Sequence, residues 1–184
     1  MSIPIEMVDS CYNVHPLVEQ LEAHPDVWDR ITLRTEGHTT PHSQISDIWV
    51  RYNPWRNFTG DREAFNGPHV PEWYPCVHEI PAAWSLARKV QRHMGYAKLG
   101  FVLITRLKPG CEVKPHTDSG WHAETHDKFA LQIKGNKDQS FCFDEASLSA
   151  EPGDLYRFDN SKTHWVKNES DSERITMIIC LRND

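Results

Sequence analysis

The chain has 184 residues, 39% hydrophobic and 25% charged, and its 20 basic and 26 acidic side chains leave a net charge of −6. That length fits one domain spanning 1–184 with a sizeable core, and the composition excludes disordered and fibrous classes. No lysine- or arginine-rich block offers a footprint for a phosphate backbone, so nucleic-acid binding is not favoured.

No apolar run approaches the roughly 20 residues of a membrane-spanning helix. The first residues lack the basic and apolar regions of a secretory signal. Five cysteines (Cys11, Cys76, Cys111, Cys142 and Cys180) are scattered without CxxC spacing. Reduced thiols and a cytoplasmic setting are therefore expected. Nothing in the sequence specifies an oligomeric state.

In chain order, residues 1–100 read as a helical and irregular part containing one strand. Val14, Leu17, Val18 and Leu21 recur at helical spacing, and Pro16 suits a first turn, which predicts a helix over 15–29. Ile45–Tyr52 is rich in β-formers and predicts a strand. Residues 53–75 are polar and broken by prolines and glycines, which predicts a long irregular excursion of the kind that serves as a lid. Residues 81–94 predict a second helix. From 101 the chain becomes short strands: 101–107, 129–133, 141–143, 155–158, 165–167 and 175–181. Turn residues separate them, with the spacing of an all-β barrel or jelly roll with helices packed outside.

Strand facing adds detail. Phe129, Leu131 and Ile133 share one face, opposite Lys128, Ala130 and Gln132. In the last strand Ile175, Met177, Ile179 and Leu181 form an apolar set expected to meet the helices. Arg174, Thr176 and Cys180 are expected to turn into the barrel mouth.

Within the region 101–182 lie the residues that carry chemistry. His116 and Asp118 are two positions apart and leave an extended strand on the same side. His164 follows 48 residues after His116, and Arg174 ten residues after His164. Two histidines and a carboxylate are the ligand set of a non-haem Fe(II) centre with open positions for co-substrate and O2. An arginine at the buried end of a strand can grip a carboxylate with its planar fork. Together they point to an iron- and 2-oxoglutarate-dependent oxygenase. His122 and His126 fall in a polar segment, 120–127, and read as lid or surface residues. Trp121 is a candidate wall of a substrate pocket, and Arg51 a candidate for meeting a substrate carboxylate.

With these residues the chain resembles the aspartyl/asparaginyl β-hydroxylase-like branch of the Fe(II)/2-oxoglutarate oxygenases, which includes bacterial free-proline hydroxylases. The resemblance covers 101–181, above all Pro152 to Asn168 (PGDLYRFDNSKTHWVKN), with Thr39 to Tyr52 (TTPHSQISDIWVRY) similar as well. It implies a double-stranded β-helix, iron on His116, Asp118 and His164, and the far carboxylate of 2-oxoglutarate on Arg174. Mammalian peptidyl hydroxylases of this branch lack the carboxylate ligand, so Asp118 favours either the free-amino-acid hydroxylases as the closer chemical model or simply a more ordinary triad. Some relatives carry a second arginine where Lys128 stands here, which makes Lys128 a second candidate for the co-substrate. The expected reaction is hydroxylation of an unactivated C–H bond of an amino acid or peptidyl residue, with succinate and CO2 released. Two alternatives use less of the pattern. A cupin-type metalloenzyme would keep the ligands without Arg174, and a non-catalytic jelly-roll binding protein would need neither.

Overall fold

A computed structural model of the chain describes residues 3–37 and 39–183. The elements run β1 (Ile5–Asp9), α1 (His15–Ala23), β2 (Ile45–Tyr52), α2 (Arg62–Asn66), β3 (Glu72–Trp73), α3 (Pro81–His93), β4 (Lys98–Leu107), β5 (Glu112–His116), α4 (Trp121–Thr125), β6 (Asp127–Lys134), β7 (Gln139–Phe143), β8 (Ser147–Leu148), β9 (Leu155–Phe158), β10 (His164–Asn168) and β11 (Arg174–Arg182). A seven-stranded sheet has the order β1-β9-β6-β11-β4-β2-β3, and a four-stranded sheet has the order β5-β10-β7-β8. Every pairing is antiparallel. Two antiparallel sheets facing one another, with few helices, make the jelly-roll (double-stranded β-helix) architecture.

Alternation along the strands decides which side chains fill which layer. Phe129, Leu131 and Ile133 of β6 join Ile175, Met177, Ile179 and Leu181 of β11 on the outer face of the large sheet. There they pack against Leu17 and Leu21 of α1 and Ala83, Leu86, Ala87 and Val90 of α3. The opposite face turns to the small sheet, where Ala130, Tyr156 and Phe158 meet Phe141, Phe143 and Val166. The facing expected of β6 and β11 is thus observed.

Several expectations need correction. The first helix stops at Ala23 instead of continuing to 29. Pro25 disfavours helical geometry at His24, whose ψ is 65°, and only a single 3-10 turn follows over Pro25–Val27. The strand β1 was not expected. It pairs with β9, with Ile5 opposite Phe158, so the chain before Lys98 contributes three strands, β1, β2 and β3, to the large sheet. The excursion 53–75 contains α2, capped by the Asp61 side chain that accepts from the Glu63 and Ala64 amides, and the two-residue β3. Its core is Asn53, which donates to Phe65 O, and whose own carbonyl accepts from the Tyr74 hydroxyl.

Candidate metal and co-substrate site

Between the sheets opens a cavity of about 560 Å³ whose lining includes His42, His116, Asp118, Trp121, Lys128, Tyr156, His164 and Arg174. The sequence separation of the two histidines vanishes in the small sheet. His116 at the end of β5 and His164 at the start of β10 are direct cross-strand partners, with ring centroids 4.5 Å apart. Asp118 lies just past β5, where its amide bonds to Asn160 O at 3.1 Å and fixes the loop.

Each histidine is oriented by the same local device. His116 Nδ1 lies 2.8 Å from Lys114 O, and His164 Nδ1 lies 2.9 Å from Lys162 O. A carbonyl only accepts, so each Nδ1 donates and each Nε2 is turned into the cavity. Those Nε2 atoms turn to the same carboxylate: His116 Nε2 is 3.6 Å from Asp118 Oδ1 and His164 Nε2 is 3.8 Å from Asp118 Oδ2. Phe141 stacks on the His164 ring with an interplanar angle of 10°, and Phe158 closes on it edge-on. Two imidazole nitrogens and one carboxylate, each held by a second contact, suit a divalent first-row metal.

Charges around the carboxylate matter as much. Burial works to raise the Asp118 carboxyl, but His116 and the charge of Lys128 outweigh it and hold the group well below the usual carboxylate range. Burial lowers His164, partly offset by the bond to Lys162 O. Lys128 is buried on β6, donates to Asp118 Oδ2 and lies over the Phe101 ring. Its ammonium is therefore tied to the carboxylate.

On the facing strands, Arg174 is 6% exposed and donates from Nη2 to the Tyr156 hydroxyl at 2.9 Å. Tyr156 is completely buried, and burial raises its hydroxyl pKa against the opposing pull of Arg174. Arg174 and Thr176 line the cavity as expected, together with Ile178. Cys180, on the same face, is instead sealed in a cluster with Trp49, Phe65, Phe101 and Leu103.

The other sequence candidates divide. Trp121 lines the cavity on α4, with the Arg182 guanidinium 5.1 Å from its ring centroid. Arg51 is not among the lining residues. A bulge between Trp49 and Arg51 turns it aside, so its guanidinium sits over Trp73 and its Nε reaches Leu99 O. His122 and His126 are not surface residues: α4 folds them under, to 5% and 7% exposure. His122 Nε2 lies 3.1 Å from His69 Nε2 in the 53–75 excursion, so the two segments expected to act as lids touch each other. Gly100 of β4 makes this possible, since a Cβ there would fall 2.6 Å from His126 Cδ2.

Three further residues line the cavity. His42 brings a ring nitrogen within 4.8 Å of ligand atoms of His116 and Asp118. Burial above all pushes its pKa down to about 2. Arg34 clasps the fully buried Asp47 with Nε and Nη2 at 2.9 and 2.8 Å. Tyr156 supports Arg174. His42 and Tyr156 lie inside the two segments that resemble the family, but no spacing within those segments marks either, and Arg34 lies outside both. A further cluster of His24, Asp26 and Glu79 lies outside the cavity. Its carboxylates are already paired with Arg30.

The sequence profile of the family described as aspartyl/asparaginyl beta-hydroxylase matches residues 13–183. Similar solved structures include an oxidoreductase of the 2OG-Fe(II) oxygenase family from Burkholderia pseudomallei, at 12% identity and a TM-score of 0.63, covering 98% of this chain and 88% of that one. Another is the viral collagen prolyl hydroxylase of Paramecium Bursaria Chlorella virus-1, in complex with 2OG, at 12% identity and a TM-score of 0.54, covering 99% and 97%. Among curated proteins, none matches the sequence. The chain belongs to the aspartyl/asparaginyl β-hydroxylase family. Among the described residues no helix is long and apolar enough to cross a membrane.

Proposed function

We propose that the protein hydroxylates an unactivated C–H bond of an amino acid or peptidyl residue, with Fe(II) held by His116, Asp118 and His164. The observation that carries this reading is the pair of Nε2 atoms, 3.6 and 3.8 Å from the two oxygens of one carboxylate, in the cavity that also holds Arg174. Fe(II) there would supply the oxidation, drawing on O2 and on 2-oxoglutarate, which leaves as succinate and CO2.

The chain's own residues do the binding and positioning. Lys114 O and Lys162 O keep the Nε2 atoms aimed inward, and Lys128 balances the carboxylate. Arg174, steadied by Tyr156, receives the far carboxylate of 2-oxoglutarate through a two-donor fork that a point charge does not reproduce. Phe141, Phe158, Trp49 and Tyr52 give the cavity apolar walls that exclude water. Trp121 and the segment around α2 line the mouth, where substrate selection is placed.

The test is succinate formation from 2-oxoglutarate by the Fe(II)-loaded protein against pools of free amino acids and of peptides. Succinate that rises with one pool and vanishes in His116→Ala supports the reading. Turnover that survives His116→Ala, or that needs no 2-oxoglutarate, overturns it.

A further inference from the structure

His42 lies beside two of the three proposed metal ligands, His116 and Asp118. One ligand atom each of His42, His116 and Asp118 lies within 4.8 Å of the others. Donors sharing one ion at about 2.1 Å each are at most about 4.2 Å apart, close to the spacing of these three atoms. The His42 ring meets the His116 ring edge-on, with centroids 4.7 Å apart. Its Nδ1 is buried and has no hydrogen-bond partner, an arrangement that buried polar atoms rarely keep.

The position is built rather than incidental. Lys114, two residues before His116, donates its amide to Pro41 O at 3.1 Å. The Glu112 amide donates to Gln44 Oε1 at 2.9 Å, and the His42 amide to Thr40 Oγ1 at 3.3 Å. The loop carrying His42 is thus sewn to the strand carrying His116, on both sides of the ring.

A permanent fourth ligand would occupy a position that a facial triad leaves open for the co-substrate. Resting on the metal assignment above, we propose that His42 is an exchangeable ligand, bound to the metal while 2-oxoglutarate is absent and displaced when it chelates. The resting centre would then be closed on itself by protein.

Mn(II) binding, followed by the EPR signal of the free ion, tests this in His42→Phe with and without saturating 2-oxoglutarate, using circular dichroism to confirm the fold. Without 2-oxoglutarate the variant is expected to bind Mn(II) at least about tenfold more weakly than the unmodified protein, the scale on which changes near a metal act. With it, the two should bind alike. Equal affinity in the absence of 2-oxoglutarate overturns the proposal, and so does an equal weakening in both conditions, which marks a structural role. His116→Ala separates the two readings, because unimpaired Mn(II) binding there removes the metal assignment itself. Should His42→Phe not fold, pulsed EPR of the unmodified protein loaded with Cu(II) counts bound imidazoles directly. Three without 2-oxoglutarate and two with it support the exchange; two in both overturn it.

Discussion

Lys128 Nζ donates to Oδ2 of Asp118, placing a lysine 5% exposed against a carboxylate that also faces both His116 and His164. A buried cation already stands where a metal cation would arrive. The carboxylate is therefore charged and directed before any metal binds, and its two oxygens need not serve the same partner.

Lys128→Met removes one half of this pair and leaves a charge without compensation. Breaking buried pairs in this way costs about 3–5 kcal/mol. The loss should be large in the metal-free protein and shrink when Mn(II) supplies a new partner for Asp118. Thermal unfolding with and without Mn(II) measures both, and an equal loss in the two states would count against the pairing.

Arg174→Lys keeps the charge but gives up the planar fork and the bond to Tyr156. A hydrogen bond to a charged group contributes about 1.5–3 kcal/mol, so apparent affinity for 2-oxoglutarate should fall roughly ten- to a hundredfold. Tyr156→Phe, which leaves the guanidinium in place, should weaken it by about tenfold or less. Titrating 2-oxoglutarate against succinate formation decides, and an unchanged Michaelis constant in Arg174→Lys would remove the clamp.

His122 is buried, and burial first, then the neighbouring His126, pushes its pKa down to about 2. An unfolded chain titrates near 6.5. Below that pH the unfolded state takes up a proton that the folded state refuses, so this contribution is complete above about 6.5 and is lost as pH falls towards 2. The slope is up to about 1.4 kcal/mol per pH unit. Urea unfolding at pH 7.5, 6 and 5 should show a shallower acid slope in His122→Phe than in the unmodified protein. Parallel slopes would contradict the assignment.

Gly100→Ala tests the packing beneath α4. The added methyl carbon would lie 2.6 and 2.8 Å from His126 Cδ2 and Nε2, and 3.1 Å from His122 Nδ1. Overpacking of this kind costs about 1–3 kcal/mol. A lowered melting temperature is expected, with the cavity mouth disturbed through Trp121. An unchanged melting temperature would mean that both rings move aside freely.

What the sequence disclosed follows from how local each signal is. The β6 and β11 faces were legible because period-two alternation depends on adjacent residues alone. His116, Asp118, His164 and Arg174 were singled out because their order and spacing form a pattern. Their convergence was not legible, since it comes from the β5–β10 pairing that sets His116 opposite His164. His42 carries no spacing signal, and only the loop's bonds to β5 bring it in. Arg51 misled because a one-residue bulge reverses facing, and no propensity marks that bulge. His122 and His126 looked exposed by their polar neighbours, yet a five-residue helix turns both inward.

Strand β1 closes one edge of the large sheet by covering β9, and the Asp159 amide bonds to Pro4 O just beyond it. The covered strand ends at Phe158, which packs against the ring of His164. Proteolytic nicking after Asp9 would therefore uncover more than a flank. It would open a sheet edge to strand exchange with another copy, and it would loosen the aromatic wall behind His164. Strand β1 thus covers both a sheet edge and the strand whose last residue backs the His164 ring.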